Sequence, residues 1–372
     1  MIKYEKYVAK TLFGLESVLK EELIELGATN VKELKRAVSF EGDKELLYKV
    51  NLWLRTALRV LVPFASGVAK DEEELYQGIK EIEWEEIIAN NKTFSVDCIL
   101  YSKFFTHSKF CALKVKDAIV DRIMEKTGDR PNVDRDTPDY RINIQIIDDK
   151  VNISFDSSDR SLHMRGYREE SNEAPINEVL AAGLVALSGW KGETALLDPM
   201  SGSGTILIEA AMKAKNVAPG LSRSFFGFEN WSDFDEVLWE KLVDQAKNAQ
   251  NDFAGSIIGR DKNMRNVRLA ERNAKNANVD GCIKFERQDF FKSKSAENVT
   301  LIFNPPYDER IKLEDDAFYD KISDTLKANF KEAKAWIISS YMEGLDDIEI
   351  KPTKVLKLYN ATLECNYNCY EL

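Results

Sequence analysis

The sequence predicts an α/β chain in which an irregular α+β half precedes a doubly wound parallel sheet. Up to about residue 160, strand-like and helix-like segments follow no fixed order, whereas from residue 176 onward helices and strands alternate regularly. In that second half, a glycine-rich turn separates an apolar strand from a helix at residues 196–211. These observations predict ligand binding at the carboxyl ends of the strands in the second half.

Residues 1–60 form the first predicted unit. Helical periodicity runs from Gly14 to a glycine stop at Gly27. Asp43 is suited to cap a second helix that continues to Arg59. Strands are expected at 7–12, 37–40 and 57–62.

Residues 61–157 form the second predicted unit, again α+β. An acidic run from Asp71 favours the start of a helix, since carboxylates complement the helix dipole. A long amphipathic helix is predicted over 108–128, ending in glycine. Two alternating segments flank Asp148 and Asp149 and predict a hairpin. Strands are expected at 94–98, 140–146 and 150–155.

Residues 158–175 are polar and rich in glycine and arginine, and we interpret them as a linker. Residues 176–372 then form the carboxy-terminal domain. Its first two predicted elements are a helix from Pro175 to Leu187 and a strand at 194–197.

Composition bounds the class of protein. The chain has 44% hydrophobic and 31% charged residues, which is ordinary for a globular protein. No apolar stretch is long enough to span a bilayer, and the first residues lack a signal-peptide core. Five scattered cysteines argue for a reducing, cytoplasmic setting, and Cys365 and Cys369 have no neighbours that would complete a metal site. We therefore expect no metal and no membrane.

The segment 301–307 predicts a reactive site. An apolar strand end is followed by Asn304, Pro305, Pro306 and Tyr307. The prolines end the strand, the asparagine amide oxygen can accept from an exocyclic amine, and the tyrosine can stack on a planar base. The segment resembles the Asn-Pro-Pro-Tyr motif of amino-methyltransferases, which implies S-adenosylmethionine as the methyl donor. A turn or a polyproline-type ligand is the alternative interpretation.

The glycine-rich turn predicts the cofactor site. Glycines allow positive φ and close approach of a ligand, and the amides of the following helix point toward it. The run closely resembles motif I of class I methyltransferases, whose Rossmann-like fold it implies, and the resemblance places Asp198 at the methionine end of the cofactor. The expected binding residues of this turn are Asp198, Pro199, Ser201, Gly202, Ser203, Gly204 and Thr205.

Two further acids complete the expected cofactor site. By the same resemblance, Asp261 accepts from the ribose hydroxyls, Asp289 accepts from the adenine amine, and Phe290 packs against the ring. Asn304 is also expected to bind the cofactor. A dinucleotide site is disfavoured because Leu207 replaces the third glycine of that fingerprint and Asp261 follows too far along the chain. For each acid alone, a helix cap is the competing interpretation.

The amino-terminal half resembles a known RNA-binding module. The segment 104–121 is similar to the THUMP domain, and the resemblance covers most of residues 45–157, with a ferredoxin-like unit before it. The net charge of −11 does not favour nucleic acid, yet residues 87–122 carry six basic and three acidic side chains. An ordinary solvated helix face and a docked linker are the alternatives. The expected RNA contacts are Lys103, His107, Lys109, Lys114, Arg165, Tyr167 and Arg168.

Taken over nearly the whole chain, the sequence resembles bacterial THUMP-containing methyltransferases that make N2-methylguanosine in 23S rRNA, in a short form with one methyltransferase domain. The resemblance implies a structured RNA partner and a flipped target base. Methylation of a tRNA guanosine, methylation of adenine N6 in DNA, and an inactive RNA-binding assembly factor remain alternatives. Asp308 stands where the family has glycine, which removes backbone freedom and adds a charge beside the expected pocket. The oligomeric state is not predicted.

Overall fold

The computed structural model describes residues 4–88, 91–168, 176–294, 296–306 and 317–372. The amino-terminal half is built on one eight-stranded sheet. Its strands are β1 (Lys6–Lys10), β2 (Thr29–Leu34), β3 (Ala37–Glu41), β4 (Arg59–Val68), β5 (Thr93–Tyr101), β6 (Asn132–Val133), β7 (Tyr140–Ile147) and β8 (Lys150–Asp156). Their spatial order is β2-β3-β1-β4-β8-β7-β5-β6, antiparallel except for the β5–β7 and β5–β6 pairs.

Strand β4 joins the two predicted amino-terminal units. Leu61 pairs with Val8 of β1 on one side and with Asp156 of β8 on the other. The predicted boundary between residues 60 and 61 therefore falls inside a strand, and the two units share one sheet.

The helices of this half are α1 (Glu16–Glu25), α2 (Lys44–Trp53), α3 (Glu72–Lys80) and α4 (Ser108–Thr127). The predicted cap of α2 is confirmed, because the Asp43 carboxylate accepts from the Leu46 amide at 2.8 Å. At the start of α3, the Asp71 carboxylate accepts from the Glu74 amide at 2.8 Å, a cap that was not predicted. Helix α4 ends at Gly128, whose φ is 80°.

Two differences from the prediction have local causes. Helix α2 ends at Trp53 rather than Arg59, because Leu54 is extended with ψ 125°. Strand β2 was not predicted, since it lies at the sheet edge with nearly every side chain exposed and so lacks an alternating apolar pattern.

The carboxy-terminal half contains a seven-stranded sheet and a separate two-stranded pair. Its strands are β9 (Ala195–Asp198), β10 (Ile257–Asp261), β11 (Ile283–Arg287), β12 (Ala296–Glu297), β13 (Val299–Phe303), β14 (Phe330–Lys331), β15 (Lys334–Ser339), β16 (Lys354–Asn360) and β17 (Leu363–Glu371). The large sheet has the order β11-β10-β9-β13-β15-β17-β16. The first five strands of that order run parallel, and β17 is antiparallel to β15 and β16.

Both faces of this sheet are covered, which confirms the doubly wound prediction. Adjacent residues of β9 enter different cores: Leu196 packs with helices α5 and α6, whereas Leu197 packs with α9 and α10. The helices are α5 (Glu178–Leu187), α6 (Thr205–Ala214), α7 (Glu236–Asn248), α8 (Met264–Asn276), α9 (Phe318–Asn329) and α10 (Met342–Asp346).

The two halves share one packed core. Leu12 and Leu15, which precede α1, are buried with the side chains of α5 and α6. At Gly183 of α5, a Cβ atom would meet Leu15 Cδ2 at 2.5 Å, so glycine is what permits this approach. Among the residues that the structure describes, no helix is both long and apolar enough to cross a membrane.

Candidate active site

Four of the predicted site residues follow neighbouring strands at one edge of the large sheet. Asp289, Asp261, Asp198 and Asn304 stand at or just after the carboxyl ends of β11, β10, β9 and β13, which are adjacent in that order. Neighbouring strands lie about 4.8 Å apart, so the row extends over roughly 14 Å. That length suits an elongated small ligand lying across the strand ends.

The loop after β9 needs its glycines. Gly202 and Gly204 have φ values of 52° and 81°, in the left-handed region. A Cβ on Gly204 would approach the Ala270 Cβ to 2.9 Å. Gly204 immediately precedes α6, so the backbone amides of the first turn of that helix, which have no partner within the helix, follow directly on the loop.

Asp261 fixes the shape of this loop. Its Oδ2 accepts from the Gly202 amide at 3.1 Å and from the Asn266 side chain at 3.1 Å, while its Oδ1 accepts from the Asn263 amide at 2.8 Å. A carboxylate has about four acceptor sites, so one is left for a ligand hydroxyl.

Asp198 is the most deeply buried acid of the row. It is 2% exposed, and one oxygen accepts from the Met200 amide at 3.0 Å. Burial, together with the nearby charge of Asp261, raises the pKa of the Asp198 carboxyl well above its ordinary value. A cationic ligand group beside Asp198 would lower that pKa again, because it favours the carboxylate.

Two hydroxyl side chains of the loop differ in their contacts. Ser201 Oγ is buried and accepts or donates no hydrogen bond among the described residues. Thr205 Oγ1 is engaged, because it accepts from Arg168 Nη2 at 2.9 Å. Ser201 is therefore the polar group of this loop that still needs a partner.

Asp289 and Phe290 differ in accessibility. The Asp289 carboxylate is half-buried and accepts from the Phe291 amide at 3.1 Å. Phe290 is 3% exposed and packs against Phe291, Phe303 and Phe330. Phe290 thus supports the site from within the core, and its contact with a cofactor ring stays a prediction.

Asn304 presents an unused acceptor. Its Oδ1 is buried without a hydrogen-bond partner among the described residues, next to the buried Pro305. An unsatisfied buried amide oxygen is unfavourable by about 1–3 kcal/mol, so a ligand donor at this position would be stabilised by pairing with it. Tyr307 and Asp308 lie outside the described residues.

In the arginine-rich segment 158–168, two of the expected RNA contacts prove to be buried. Arg165 and Tyr167 are 2% and 1% exposed, and both contact Glu209 of α6. RNA cannot reach them here, so the docked-linker interpretation holds for these two residues. Arg168 is also engaged, through Thr205 and an ion pair with Glu178 at 3.3 Å.

Glu209 was not predicted, yet it organises a buried cluster. Its Oε1 lies 3.4 Å from Arg165 Nε and accepts from the Tyr167 hydroxyl at 3.1 Å. Arg165 donates in turn to the Arg55 carbonyl. The cluster joins the amino-terminal half to the helix that follows the glycine loop. Its sequence signal is a lone glutamate within the apolar run 206–212.

The four expected RNA contacts of the second unit lie near the start of α4. Lys103, His107 and Lys109 are exposed, and Lys114 is half-buried with its ammonium 5.7 Å from the Tyr76 ring. Phe110 is 47% exposed among them. Exposed basic and aromatic side chains thus lie close together along this stretch of the chain, a combination suited to RNA binding.

The site fits the expected cofactor. The unpartnered Ser201 and Asn304 oxygens, the glycine loop and the row of carboxylates supply acceptors and donors for a methionine end, a ribose and an amino-bearing ring. Among the described residues, no group of three or more His, Cys, Asp or Glu side chains is placed to hold a metal ion.

Comparison with protein families gives three matches along the chain. Residues 6–61 match the RlmL ferredoxin-like domain, residues 69–156 match the THUMP domain, and residues 165–368 match the family described as RMKL-like, methyltransferase domain.

Curated relatives span two lengths. A putative RNA methyltransferase of Synechocystis sp., slr0064, is 38% identical, with 98% of this chain and 96% of that protein covered. The ribosomal RNA large subunit methyltransferases K/L of Shewanella baltica and Syntrophotalea carbinolica are 38% and 37% identical. The chain spans about half (52%) of the length of these two K/L relatives.

Solved structures are similar over the whole chain. A possible methylase from Clostridium difficile has a TM-score of 0.90 at 34% identity, covering 99% of this chain and 98% of that one. SMU.472, a putative methyltransferase complexed with SAH, has a TM-score of 0.88 at 30% identity, covering 100% and 99%. TrmN from Thermus thermophilus shares the fold at 16% identity, with a TM-score of 0.71 and 99% of both chains covered.

Proposed function

Because the chain belongs to the RMKL-like methyltransferase family, we propose that it transfers a methyl group from S-adenosylmethionine to N2 of a guanine in 23S rRNA. The family matches confirm the expected resemblance, and the mixed sheet with its two covered faces confirms the expected fold class. S-adenosylmethionine is the methyl donor, consistent with the neighbour crystallised with SAH.

The observation that carries the proposal is the buried, unpartnered Oδ1 of Asn304 at the end of β13. Strand β13 lies directly beside β9, so Asn304 neighbours the Asp198 loop across the sheet edge. An amide oxygen accepts hydrogen bonds and holds no charge, which suits an exocyclic amine that must keep its lone pair for attack.

In this proposal the chain works by positioning. S-adenosylmethionine supplies an electrophilic methyl group on a sulfonium centre. Asn304 Oδ1 and the Pro305 carbonyl accept the two hydrogens of the target amine, which directs its lone pair toward that methyl group. Such orientation contributes much of the acceleration in reactions between two bound partners. The C–S bond breaks as the N–C bond forms, and the methylated amine releases one proton to water.

RNA is the favoured substrate because of the amino-terminal half. Residues 69–156 match the THUMP domain, and the surface around Lys103 and Phe110 combines positive charge with exposed aromatic rings. The curated relatives carry the names RNA methyltransferase and ribosomal RNA large subunit methyltransferase K/L, which supports rRNA over tRNA. A similar structure from Listeria monocytogenes is titled a predicted N6-adenine-specific DNA methylase, so DNA adenine is the second candidate.

Substitution of Asn304 tests this assignment. Asn304→Ala should abolish methyl transfer while cofactor affinity stays near that of the unsubstituted protein. Since Oδ1 has no described partner to lose, the free energy of unfolding should stay equal or rise slightly. Asn248→Ala, at the exposed end of α7, is the matched control and should leave transfer unchanged. Retained transfer in Asn304→Ala, or lost cofactor binding, would refute the proposed role.

A further inference from the structure

A cleft of about 780 Å³ lies between the amino-terminal sheet and the carboxy-terminal domain. Thr137 and Pro138, which precede β7, form one wall, and the segment from Ser222 to Asn230 forms another. The segment 159–168 lines the cleft between them. A volume of this size accommodates a nucleotide unit.

The cleft is positively charged although the chain is acidic overall. Four of its lining side chains are arginines and two are acids, Asp159 and Glu178. Asp159 is paired with Arg141, which lies outside the lining, and Glu178 is paired with Arg168. Burial and the surrounding arginines lower the pKa of His163 to about 4, so it adds no charge near neutral pH. The arginines are Arg160, Arg165, Arg168 and Arg223.

The four arginine side chains make different contacts. Arg165 is buried against Glu209, and Arg168 holds Thr205 and Glu178. Arg223 donates to four backbone carbonyl oxygens within residues 158–164, at 2.9–3.1 Å. Arg160 is exposed at the cleft, and only its backbone carbonyl takes part in the hydrogen bonds with Arg223. The segment is therefore held in a preformed shape, with Arg160 as its accessible charge.

Apolar surface lines the same cleft. Phe225 is half-buried and Met164 is 49% exposed, and both line the cleft. A cleft that offers an arginine, an aromatic ring and a thioether can bind an unpaired nucleotide, with the phosphate on the cation and the base on the ring.

The cleft also leads to the cofactor loop. Arg168, on its wall, donates to Thr205, the first residue of α6 after Gly204. A strand seated in the cleft would therefore lie next to the loop that carries the methyl donor.

We propose that this cleft binds an unpaired RNA segment adjoining the target nucleotide, with a phosphate on Arg160 and a base stacked on Phe225. The proposal rests on the proposed function, because it assumes an RNA substrate. It differs from the surface around Lys103, which lies in the second amino-terminal unit and away from the cofactor loop along the chain.

The test is binding of a fluorescein-labelled, short single-stranded RNA, followed by anisotropy, together with methyl transfer to deproteinised 23S rRNA. Arg160→Glu should weaken binding at least tenfold, and Arg160→Gln should weaken it less. Loss of one phosphate contact should lower the slope of log K against log salt by about 0.7. Phe225→Ala should weaken binding severalfold with little change of that slope. Cofactor affinity should stay unchanged in all three.

Lys35→Glu is the control, since it makes the same charge change on an exposed side chain in the β2–β3 turn. It should bind RNA as the unsubstituted protein does. Equal binding and transfer by Arg160→Glu and Phe225→Ala would overturn the cleft assignment. If the unsubstituted protein binds the RNA but methylates none, the proposed function is wrong. The RNA affinities of the variants would still show whether the cleft binds RNA.

Discussion

The backbone N–H of Gly202 donates to Oδ2 of Asp261 over 3.1 Å, and this bond ties the glycine loop after β9 to the end of the adjacent strand β10. The same carboxylate is expected to bind the ribose hydroxyls of the cofactor. Asp261 therefore shapes the glycine loop, and we expect it to contact the cofactor as well.

Asp261→Asn should weaken cofactor binding by tenfold or more. The amide keeps the size of the side chain but replaces one acceptor oxygen with a donor. In either orientation its NH2 group faces a backbone N–H, of Gly202 or of Asn263, and the loop is disturbed. Isothermal titration calorimetry measures the change. Asp244→Asn, on the exposed face of α7, should bind cofactor normally. Unchanged affinity in Asp261→Asn would place the ribose elsewhere.

Gly204→Ala should damage both stability and cofactor binding. Its φ of 81° strains any L side chain, and the added Cβ would approach the Ala270 Cβ to 2.9 Å. Gly189→Ala is the matched control, because Gly189 has φ 74° with nothing within 4 Å of the added Cβ. The control should lose about 1 kcal/mol of unfolding free energy from backbone strain alone. Chemical denaturation should show a larger loss for Gly204→Ala; equal losses would mean that the close approach is unimportant.

Cofactor binding should release a proton from Asp198. Burial and the nearby Asp261 raise the pKa of this carboxyl in the free protein, so it keeps its proton above the ordinary range of aspartic acid. The cationic end of the cofactor favours the carboxylate and lowers that pKa, so affinity should rise with pH until the free protein is deprotonated. Calorimetry in buffers of different ionisation enthalpy detects the released proton. Asp198→Asn should abolish the release, and identical proton linkage in that variant would exclude Asp198 as its source.

Breaking the buried pair of Arg165 and Glu209 should be strongly destabilising. Arg165→Met leaves the Glu209 charge buried without its partner, which costs about 3–5 kcal/mol of unfolding free energy. Tyr167→Phe removes one hydrogen bond to the same carboxylate and should cost about 1 kcal/mol. The double variant Arg165→Met/Glu209→Leu should lose less unfolding free energy than the sum of the losses in Arg165→Met and in Glu209→Leu. Additive losses by urea denaturation would show that the two charges do not interact.

The residues that sequence reasoning located are those with local signals. Asp198, Gly204, Asp261 and Asn304 each end a strand or begin a helix, and the parallel topology brings such ends to one edge of the sheet. Asp43 was predictable as a cap for the same reason, since its partner lies within three residues.

The residues that sequence reasoning misplaced depend on distant partners. Arg165 and Tyr167 were expected at a surface because arginine and tyrosine often bind RNA, yet the partner that buries them is Glu209, more than forty residues away. No periodicity or motif encodes such a contact. The edge strand β2 was missed because a strand with nearly every side chain exposed has no apolar alternation.

The identity of the methylated nucleoside tests the central claim most directly. Three parallel reactions each contain the protein, isotopically labelled S-adenosylmethionine and one deproteinised nucleic acid: 23S rRNA, tRNA or DNA. Each nucleic acid is then digested, and its nucleosides are resolved by mass spectrometry. The proposed function predicts label in N2-methylguanosine from 23S rRNA, absent when Asn304→Ala replaces the unsubstituted protein. Label only in N6-methyladenine from DNA, or no label on any substrate despite cofactor binding, would contradict it.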